Sequence, residues 1–340
     1  MTNNILITGG NGFLALHIIK QLLTQGKHVL ATVRNPQRAA ETTNTLTAAG
    51  TPHLDELEFT YLDLTQDAGW QDAMQGIDSV MSVAAPVFVN GESNAATLAK
   101  IATDGTLRIL RAANAAGVRR VIMTGNFGAV GFSNLDPQRT TTEADWTNPD
   151  QPGLSLYERS KLLAEQAAWH YVQQADVHLE LTVITAGAML GTALGDHVSG
   201  SFGILRSLVD GSLNRVPRLK FNVVDVRDVA SMHVAALNTA AAANERFLAV
   251  ADDAINYLDI RQLMQAALPQ QQLSRKILPT WLVHLAAHFN ARASEADLML
   301  RMSHRVSNQH AKDVLGWQAQ SSASAAVEAA ITTLQRIGQI

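Results

Sequence analysis

The chain has 340 residues and a net charge of −4, and 47% of its residues are hydrophobic. This length suits one large α/β domain with or without an appendage, and the charge argues against nucleic acid or an anionic membrane as a partner. The absence of cysteine excludes disulfides, thiolate metal sites and cysteine nucleophiles. No signal peptide, apolar run of about twenty residues or histidine pair at metal-ligand spacing is visible, so we expect a cytoplasmic protein without a metal site.

The N-terminal stretch predicts a nucleotide-binding unit. Residues 4–8 are a short apolar strand, a glycine-rich turn follows, and residues 16–25 repeat apolar side chains at helical spacing before a second strand over 28–33. Such a turn lets the backbone approach a pyrophosphate, which the helix N-terminus stabilises. The residues predicted to bind a dinucleotide here are Gly9, Gly12, Phe13 and Leu14.

The end of the second strand indicates which dinucleotide binds. Enzymes that take NAD usually place an acid there for the ribose hydroxyls, whereas a 2′-phosphate requires a cation. This chain has Arg34, then Arg38, and no acid before Glu41. We therefore expect Arg34 to bind the phosphate with support from Arg38, which favours NADP(H) over NAD(H). The alternative is that both arginines are solvated loop residues.

Further strands are predicted over 57–62, 78–84, 119–124 and 179–185, with helices between them. This alternation is typical of a Rossmann-type, doubly wound parallel sheet, predicted here as a domain over residues 1–186. Ligands gather outside the carboxyl ends of such strands, where we expect Asp63, Leu64, Ala84, Ala85 and Ala186 to contact the cofactor. For Asp63, which would accept from the adenine amino group, capping of the next short helix is the alternative.

Residues 187–340 are less regular and predict a smaller mixed α/β portion that binds the substrate. Helices are expected over 279–293 and 323–337. The segment 222–250 should pack back on the nucleotide-binding core.

The catalytic signal is Tyr157, followed four residues later by Lys161. At this spacing both side chains project from one face of the helix predicted over 155–174. A phenol with a pKa of about 10 is a poor acid–base group at neutral pH, and an adjacent ammonium would bring it into working range. Lys161 is also placed to bond the nicotinamide ribose, so both residues are predicted to contact the cofactor.

Over nearly its whole length the chain resembles the extended short-chain dehydrogenases/reductases, in the branch of dihydroflavonol reductases and bacterial aldehyde or ketone reductases. The resemblance is carried by the glycine turn, the Tyr157–Lys161 pair, the segments 84–86, 104–106 and 225–230, and Leu315-Gly316-Trp317. It implies NADP(H)-dependent reduction of a small aldehyde or ketone by a monomer or homodimer. It also implies that tyrosine donates the proton, that lysine tunes it, and that a hydroxyl near the fifth strand holds the substrate oxygen.

The sequence departs from that pattern at the hydroxyl, because the usual Thr-Ser-Ser is Thr124-Gly125-Asn126 here. We favour Asn126 as the group that donates to the substrate oxygen, as side-chain amides do in oxyanion sites. Thr124 ranks behind it, since it lies about 7 Å further down the strand. Ala186 replaces a usual proline before Gly187. A non-catalytic NADP(H)-binding redox sensor and an NAD-dependent sugar-nucleotide epimerase or dehydratase remain the alternatives.

Overall fold

The computed structural model describes residues 4–84 and 95–340, so Ala85, expected at the cofactor edge, lies outside the described residues. Within this part of the chain the strands are β1 Asn4–Ile7, β2 His28–Val33, β3 Leu57–Tyr61, β4 Ser79–Ser82, β5 Arg120–Asn126, β6 Glu180–Ala186, β7 Ala188–Leu190, β8 Lys220–Phe221, β9 Val223–Asp225, β10 Arg246–Ala249 and β11 Ile255–Asn256. The helices are α1 Phe13–Thr24, α2 Pro36–Ala48, α3 Trp70–Ala73, α4 Ala95–Ala115, α5 Leu156–Val172, α6 Gly203–Arg206, α7 Val226–Asn238, α8 Tyr257–Ala267, α9 Thr280–Ala286, α10 Ala291–Arg301, α11 Gln309–Leu315 and α12 Ala323–Arg336.

Seven parallel strands form the main sheet in the order β10-β6-β5-β4-β1-β2-β3. The chain winds outward from β1 through β2 and β3 and then crosses to β4, so the topological switch point lies between β1 and β4. Parallel sheets of this kind bind ligands in the crevice at that point. The predicted doubly wound Rossmann-type fold is confirmed.

Alternate side chains of the central strands enter two different cores. Ile5 and Ile7 of β1 belong to the larger core, which also holds residues of α1, α7 and α12. Leu6, between them, packs on the other face with α3, α4 and α5. Helices therefore cover both faces of the sheet, which explains why consecutive residues of the central strand β1 are apolar from Ile5 to Ile7.

Side-chain caps fix where several helices begin. Asn35 accepts from the N–H of Arg38 at 3.0 Å and caps α2, whose first residue is Pro36. Ser155 caps α5 through the N–H of Glu158 at 3.2 Å, and Asp225 caps α7. These polar residues accept from N–H groups that have no partner inside the helix.

The C-terminal portion contributes both to the sheet and to smaller units. β10 pairs with β6 and becomes the seventh strand, while α7 packs against α1. β7 pairs with β9, and β8 pairs with β11. The segment 222–250 thus lies on the nucleotide-binding core. The division of the chain at residue 186 stays a prediction.

The structure corrects two predicted boundaries. The helix expected over 279–293 is two helices, α9 and α10, because Asn290 has an extended backbone and its side chain caps α10 through the N–H of Ala293 at 3.2 Å. The fifth strand continues through Asn126, which pairs with Ala186 of β6. Asn126 is therefore the last residue of β5 and is held in the sheet. No helix in the described ranges is both long and apolar enough to cross a membrane.

Candidate active site

The glycine turn approaches the end of β4 at the switch point of the sheet. Gly9 has a φ of +69°, and a Cβ added there would lie 2.9 Å from the Cβ of Ala84. The hydroxyl of Thr8 accepts from the N–H groups of Val83 at 3.0 Å and Ala84 at 2.9 Å, which holds the two segments together. This narrow approach leaves backbone rather than side chains facing the crevice, as a nucleotide phosphate requires.

Helix α1 begins directly behind this turn with its first N–H groups uncapped. Its N-cap is Gly12, which has no side chain to accept from them, and the first turn carries no acid. The rings of Phe13 and Phe202 meet edge to face at 5.4 Å and anchor the start of the helix in the core. The positive end of the α1 dipole is thus open to an anion at Phe13 and Leu14.

A cleft of about 440 Å³ runs from this turn to the end of β2. Of the predicted cofactor residues, the cleft is lined by Gly9, Gly12, Phe13, Leu14, Arg34, Leu64 and Ala84. Arg38 lines it too, together with three residues that the sequence did not indicate, His197, Val198 and Ser199. These three residues follow β7. The sequence alone does not show that the chain returns to the carboxyl edge of the sheet there, so it does not predict their place in the cleft.

Four predicted cofactor residues that the structure describes are not part of that lining: Asp63, Ala186, Tyr157 and Lys161. Asp63 closes a turn, because its Oδ1 accepts from the N–H and the hydroxyl of Thr65, both at 2.8 Å. These bonds, with a smaller effect of Arg34, lower the pKa of Asp63. The helix after it, α3, is capped by Gly69, so the alternative that Asp63 caps this helix is wrong. The side chain of Ala186 is buried in the core.

Asn126 faces Tyr157 at the carboxyl end of β5. Its Oδ1 accepts from the N–H of Gly128 at 2.6 Å, which fixes the amide so that its NH₂ group points away from the backbone. The Asn126 side chain hydrogen-bonds Tyr157 and lowers the pKa of the phenol, the effect of an N–H donated to the phenol oxygen. A Cβ at position 128 would lie 2.6 Å from that Oδ1, so glycine is required there.

The pKa of Tyr157 is raised above its ordinary value despite this bond. Desolvation of the phenol is the main cause, although the residue is 43% exposed, and the charge of the neighbouring Glu158 adds to it. Glu158 is itself perturbed: burial, with a smaller effect of the charge of Glu295 on α10, raises its pKa to about 7. At neutral pH the phenol is therefore fully protonated, a state that suits a proton donor rather than a base.

Lys161 lies one turn after Tyr157 and points to the same strand end. Its Nζ donates to the carbonyl of Thr124 at 3.3 Å. The expected lowering of the Tyr157 pKa by Lys161 is not seen in this arrangement, where Asn126 is the group that lowers it. Burial lowers the pKa of Lys161, and the charge of Glu165 offsets part of that lowering.

The hydroxyl of Thr124 is committed elsewhere. His233 donates from Nδ1 to the carbonyl of Val229 at 2.8 Å, so its Nε2 accepts from the Thr124 hydroxyl at 2.9 Å. Burial lowers the pKa of His233 to about 4, which keeps the ring neutral. This bond holds the Thr124 hydroxyl against α7 and leaves the amide of Asn126 as the donor beside Tyr157.

A buried ion pair behind Lys161 escaped the sequence prediction. Glu165 is fully buried and accepts from the Nε of Arg246 at 2.8 Å, joining α5 to β10. Arg246 also donates to the carbonyls of Glu143 and Asp145 and lies 3.8 Å from the ring centroid of Trp146. The sequence shows Glu165 four residues after Lys161, but nothing local reveals a partner eighty-one positions away.

A larger cavity of about 800 Å³ opens beside Trp146 and Trp169, at the amino ends of β6 and β10. None of the predicted site residues lines it, and ligands of parallel sheets bind at the opposite edge, so the smaller cleft is the candidate cofactor site. Across residues 4–84 and 95–340 no group of three metal-ligating side chains comes together.

Comparison with known proteins identifies the family. The model of the "NAD dependent epimerase/dehydratase family" matches residues 5–250. The chain belongs to this family. It is 33% identical over 262 residues to a putative uncharacterized oxidoreductase of Schizosaccharomyces pombe, covering 72% of this chain and 76% of that protein. The predicted resemblance to extended short-chain dehydrogenases/reductases of the reductase branch is confirmed.

Two further matches extend over almost the whole chain of this epimerase/dehydratase family member. A putative NADPH-dependent methylglyoxal reductase of Candida albicans is 27% identical over 339 residues, covering 93% of this chain and 94% of that protein. The crystal structure of yeast methylglyoxal/isovaleraldehyde reductase Gre2 complexed with NADPH has a TM-score of 0.78 at 21% identity and covers 99% of this chain and all of that one. The fold of residues 187–340 is thus shared as well.

Proposed function

We propose that this protein is an NADP(H)-dependent oxidoreductase that reduces an aldehyde or ketone to an alcohol, with Tyr157 as proton donor. The observation that carries the proposal is the contact between Asn126 and Tyr157 at the end of β5, beside a cleft that ends in arginines. The names of two relatives, which specify NADPH and carbonyl substrates, support it.

The residues at the cleft fit this cofactor. A pyrophosphate would meet the backbone of Gly9 and Gly12 and the open N-terminus of α1, where any Cβ at Gly9 would collide with Ala84. Arg34 and Arg38 would hold a 2′-phosphate, since both line the far end of the cleft and no acid stands at the end of β2. We therefore assign NADP(H) rather than NAD(H).

When bound, this cofactor supplies the hydride that reaches the carbonyl carbon. Tyr157 donates its proton to the carbonyl oxygen, which gains negative charge as the hydride arrives. The NH₂ of Asn126 stabilises the phenolate that remains and also donates to the substrate oxygen. Lys161, one turn after Tyr157 and held by the carbonyl of Thr124, would hydrogen-bond the nicotinamide ribose and orient the ring. Gly128 holds the amide in the donating orientation.

A redox-neutral epimerase or dehydratase is the competing assignment, because the matching family is named for those reactions. Such enzymes retain their cofactor oxidised between turnovers and return the hydride to the same substrate. The cations at the end of β2 favour NADP(H) and net reduction.

The direct test is NADPH oxidation against a panel of aromatic and aliphatic aldehydes and ketones, with NADH alongside. The proposal expects turnover with NADPH that is lost in Tyr157→Phe, a variant that keeps the ring but has no hydroxyl. Full turnover in Tyr157→Phe would overturn the assigned proton donor. Tight NADPH binding without turnover of any carbonyl would favour the non-catalytic NADP(H)-binding sensor, or an epimerase whose substrate is missing from the panel.

A further inference from the structure

His197 reaches the cofactor cleft from the C-terminal portion of the chain. Its Nε2 lies 3.5 Å from the Nδ2 of Asn11 and 3.5 Å from an Nη of Arg38. Asn11 belongs to the glycine turn, and Arg38 to the first turn of α2. One imidazole therefore contacts both the segment placed to hold the pyrophosphate and the helix whose arginine is placed to hold a 2′-phosphate.

The loop that carries His197 is anchored on both sides. Before it, Arg336 of α12 donates to the carbonyls of Ala193 and Gly195, both at 2.9 Å. After it, the hydroxyl of Ser199 donates to the carbonyl of Met189 at 2.6 Å. These bonds tie the loop to α12 and β7, so the position of His197 is set by the fold.

The groups around His197 define what it can bind. Both neighbours are N–H donors, so Nε2 accepts from them in this arrangement. Two carboxylates lie nearby: Glu41 pairs with Arg38 at 2.6 Å, and the exposed Asp196 is 3.8 Å from Arg336. Arg34, Arg38 and His197 line the same cleft. This combination of two guanidinium groups and an imidazole matches the doubly charged phosphate monoester of NADP(H).

We propose that His197 binds the 2′-phosphate of NADP(H) as a third ligand beside Arg34 and Arg38. Because Nε2 accepts from Asn11 and Arg38, the Nδ1–H of the imidazole donates to a phosphate oxygen, and the anchored loop of residues 191–199 covers the cofactor from the C-terminal portion. This inference rests on NADP(H) as the proposed cofactor and does not depend on the carbonyl chemistry.

The test is a fluorescence titration of the full chain with NADPH and with NADH, which yields two Kd values for each variant. His197→Ala should raise the Kd for NADPH roughly tenfold, the loss of one charge-assisted bond, and change that for NADH less than about twofold. His197→Arg supplies an N–H donor at the same position and should keep the NADPH preference. His178→Ala, an exposed histidine before β6 at the opposite edge of the sheet, is the matched control and should change neither value.

An unchanged Kd for NADPH in His197→Ala would overturn the inference. So would an equal loss of NADPH and NADH affinity, because the two share the pyrophosphate and differ in the 2′-phosphate. A wild-type protein that binds both nucleotides equally would contradict the proposed cofactor itself, a result distinct from the other two. His197 is exposed, and an unchanged Tm in its variants would show that the fold is retained.

Discussion

The N–H of Gly128 donates to the Oδ1 of Asn126 across 2.6 Å, and this single bond orients the amide beside Tyr157. An asparagine amide can turn over, exchanging a donor for an acceptor at nearly the same position. Because the Gly128 N–H holds the amide oxygen of Asn126, the NH₂ group of the same amide points toward Tyr157. The site thereby presents a donor in place of the hydroxyl that the family resemblance implies.

Asn126→Asp tests this orientation. The carboxylate retains an acceptor for the Gly128 N–H but removes the donor to Tyr157 and adds a negative charge beside the phenolate. We expect kcat/KM to fall about 100-fold or more, the usual effect of losing one oxyanion donor. Steady-state kinetics with the best carbonyl substrate measures it, and Asn126→Ser, which restores a hydroxyl donor, should lose less. Equal activity of Asn126→Asp and wild type would remove Asn126 from the catalytic set.

Glu158 should make the protein less stable as the pH rises. Its pKa is about 7 in the folded chain against an ordinary value of 4.5, so the folded state binds more protons between these values. The free energy of unfolding therefore decreases as the pH increases from 5 to 8. Glu158→Gln removes this loss and should gain roughly 1 kcal/mol at pH 8, allowing for partial exposure, or about 2–4 °C in Tm.

The measurement is Tm of wild type and Glu158→Gln at pH 5 and pH 8. The variant should match wild type at pH 5 and exceed it at pH 8. Glu295→Gln is a useful companion, because removing its charge should lower the pKa of Glu158 and so reduce the loss of stability between pH 5 and pH 8. A Glu158→Gln chain that is less stable than wild type at pH 8 would contradict this account.

A comparison of Gly9→Ala with Gly26→Ala distinguishes backbone strain from the steric contact with Ala84 at the cofactor turn. Gly9 and Gly26 share almost the same φ, +69° and +66°, but an added Cβ meets Ala84 at 2.9 Å only at position 9 and nothing within 4 Å at position 26. Both substitutions should cost about 1–2 kcal/mol of stability through the left-handed backbone. NADPH affinity should fall more than tenfold in Gly9→Ala and stay unchanged in Gly26→Ala, as measured by titration. Equal affinities would show that the turn does not hold the cofactor.

The buried pair of Glu165 and Arg246 should be strongly coupled. Glu165→Gln leaves the guanidinium of Arg246 buried without its counter-charge, which should cost about 3–5 kcal/mol in the free energy of unfolding. The double variant Glu165→Gln/Arg246→Leu should recover part of that loss. Denaturant unfolding of Glu165→Gln, of Arg246→Leu and of the double variant provides the comparison, and additive losses would show that the two residues act independently.

Short-range sequence patterns predict most of the fold and part of the candidate site. The strand–turn–helix spacing, the arginine after β2 and the Tyr157–Lys161 pair are short-range features, so the sequence predicts them directly. The sequence predicts one helix over 279–293 because its apolar pattern continues across Asn290. Composition alone does not distinguish a capping asparagine from a helical one, so it does not reveal the break between α9 and α10.

Long-range partners could not be predicted. His197 meets Arg38 from 159 positions away, and Thr124 meets His233 from 109 positions away. Their side chains carry no local signal, since only the return of the chain to the carboxyl edge of the sheet brings them together.

The most direct test of the central claim is the fate of the hydride. NADPH deuterated at C4, prepared separately on each face, would be incubated with the protein and a carbonyl substrate, and the alcohol analysed by mass spectrometry. The account predicts one deuterium on the former carbonyl carbon from one of the two labelled faces, with stoichiometric NADP⁺. Alcohol without deuterium from either face, or a substrate altered in configuration with no net oxidation of NADPH, would contradict it.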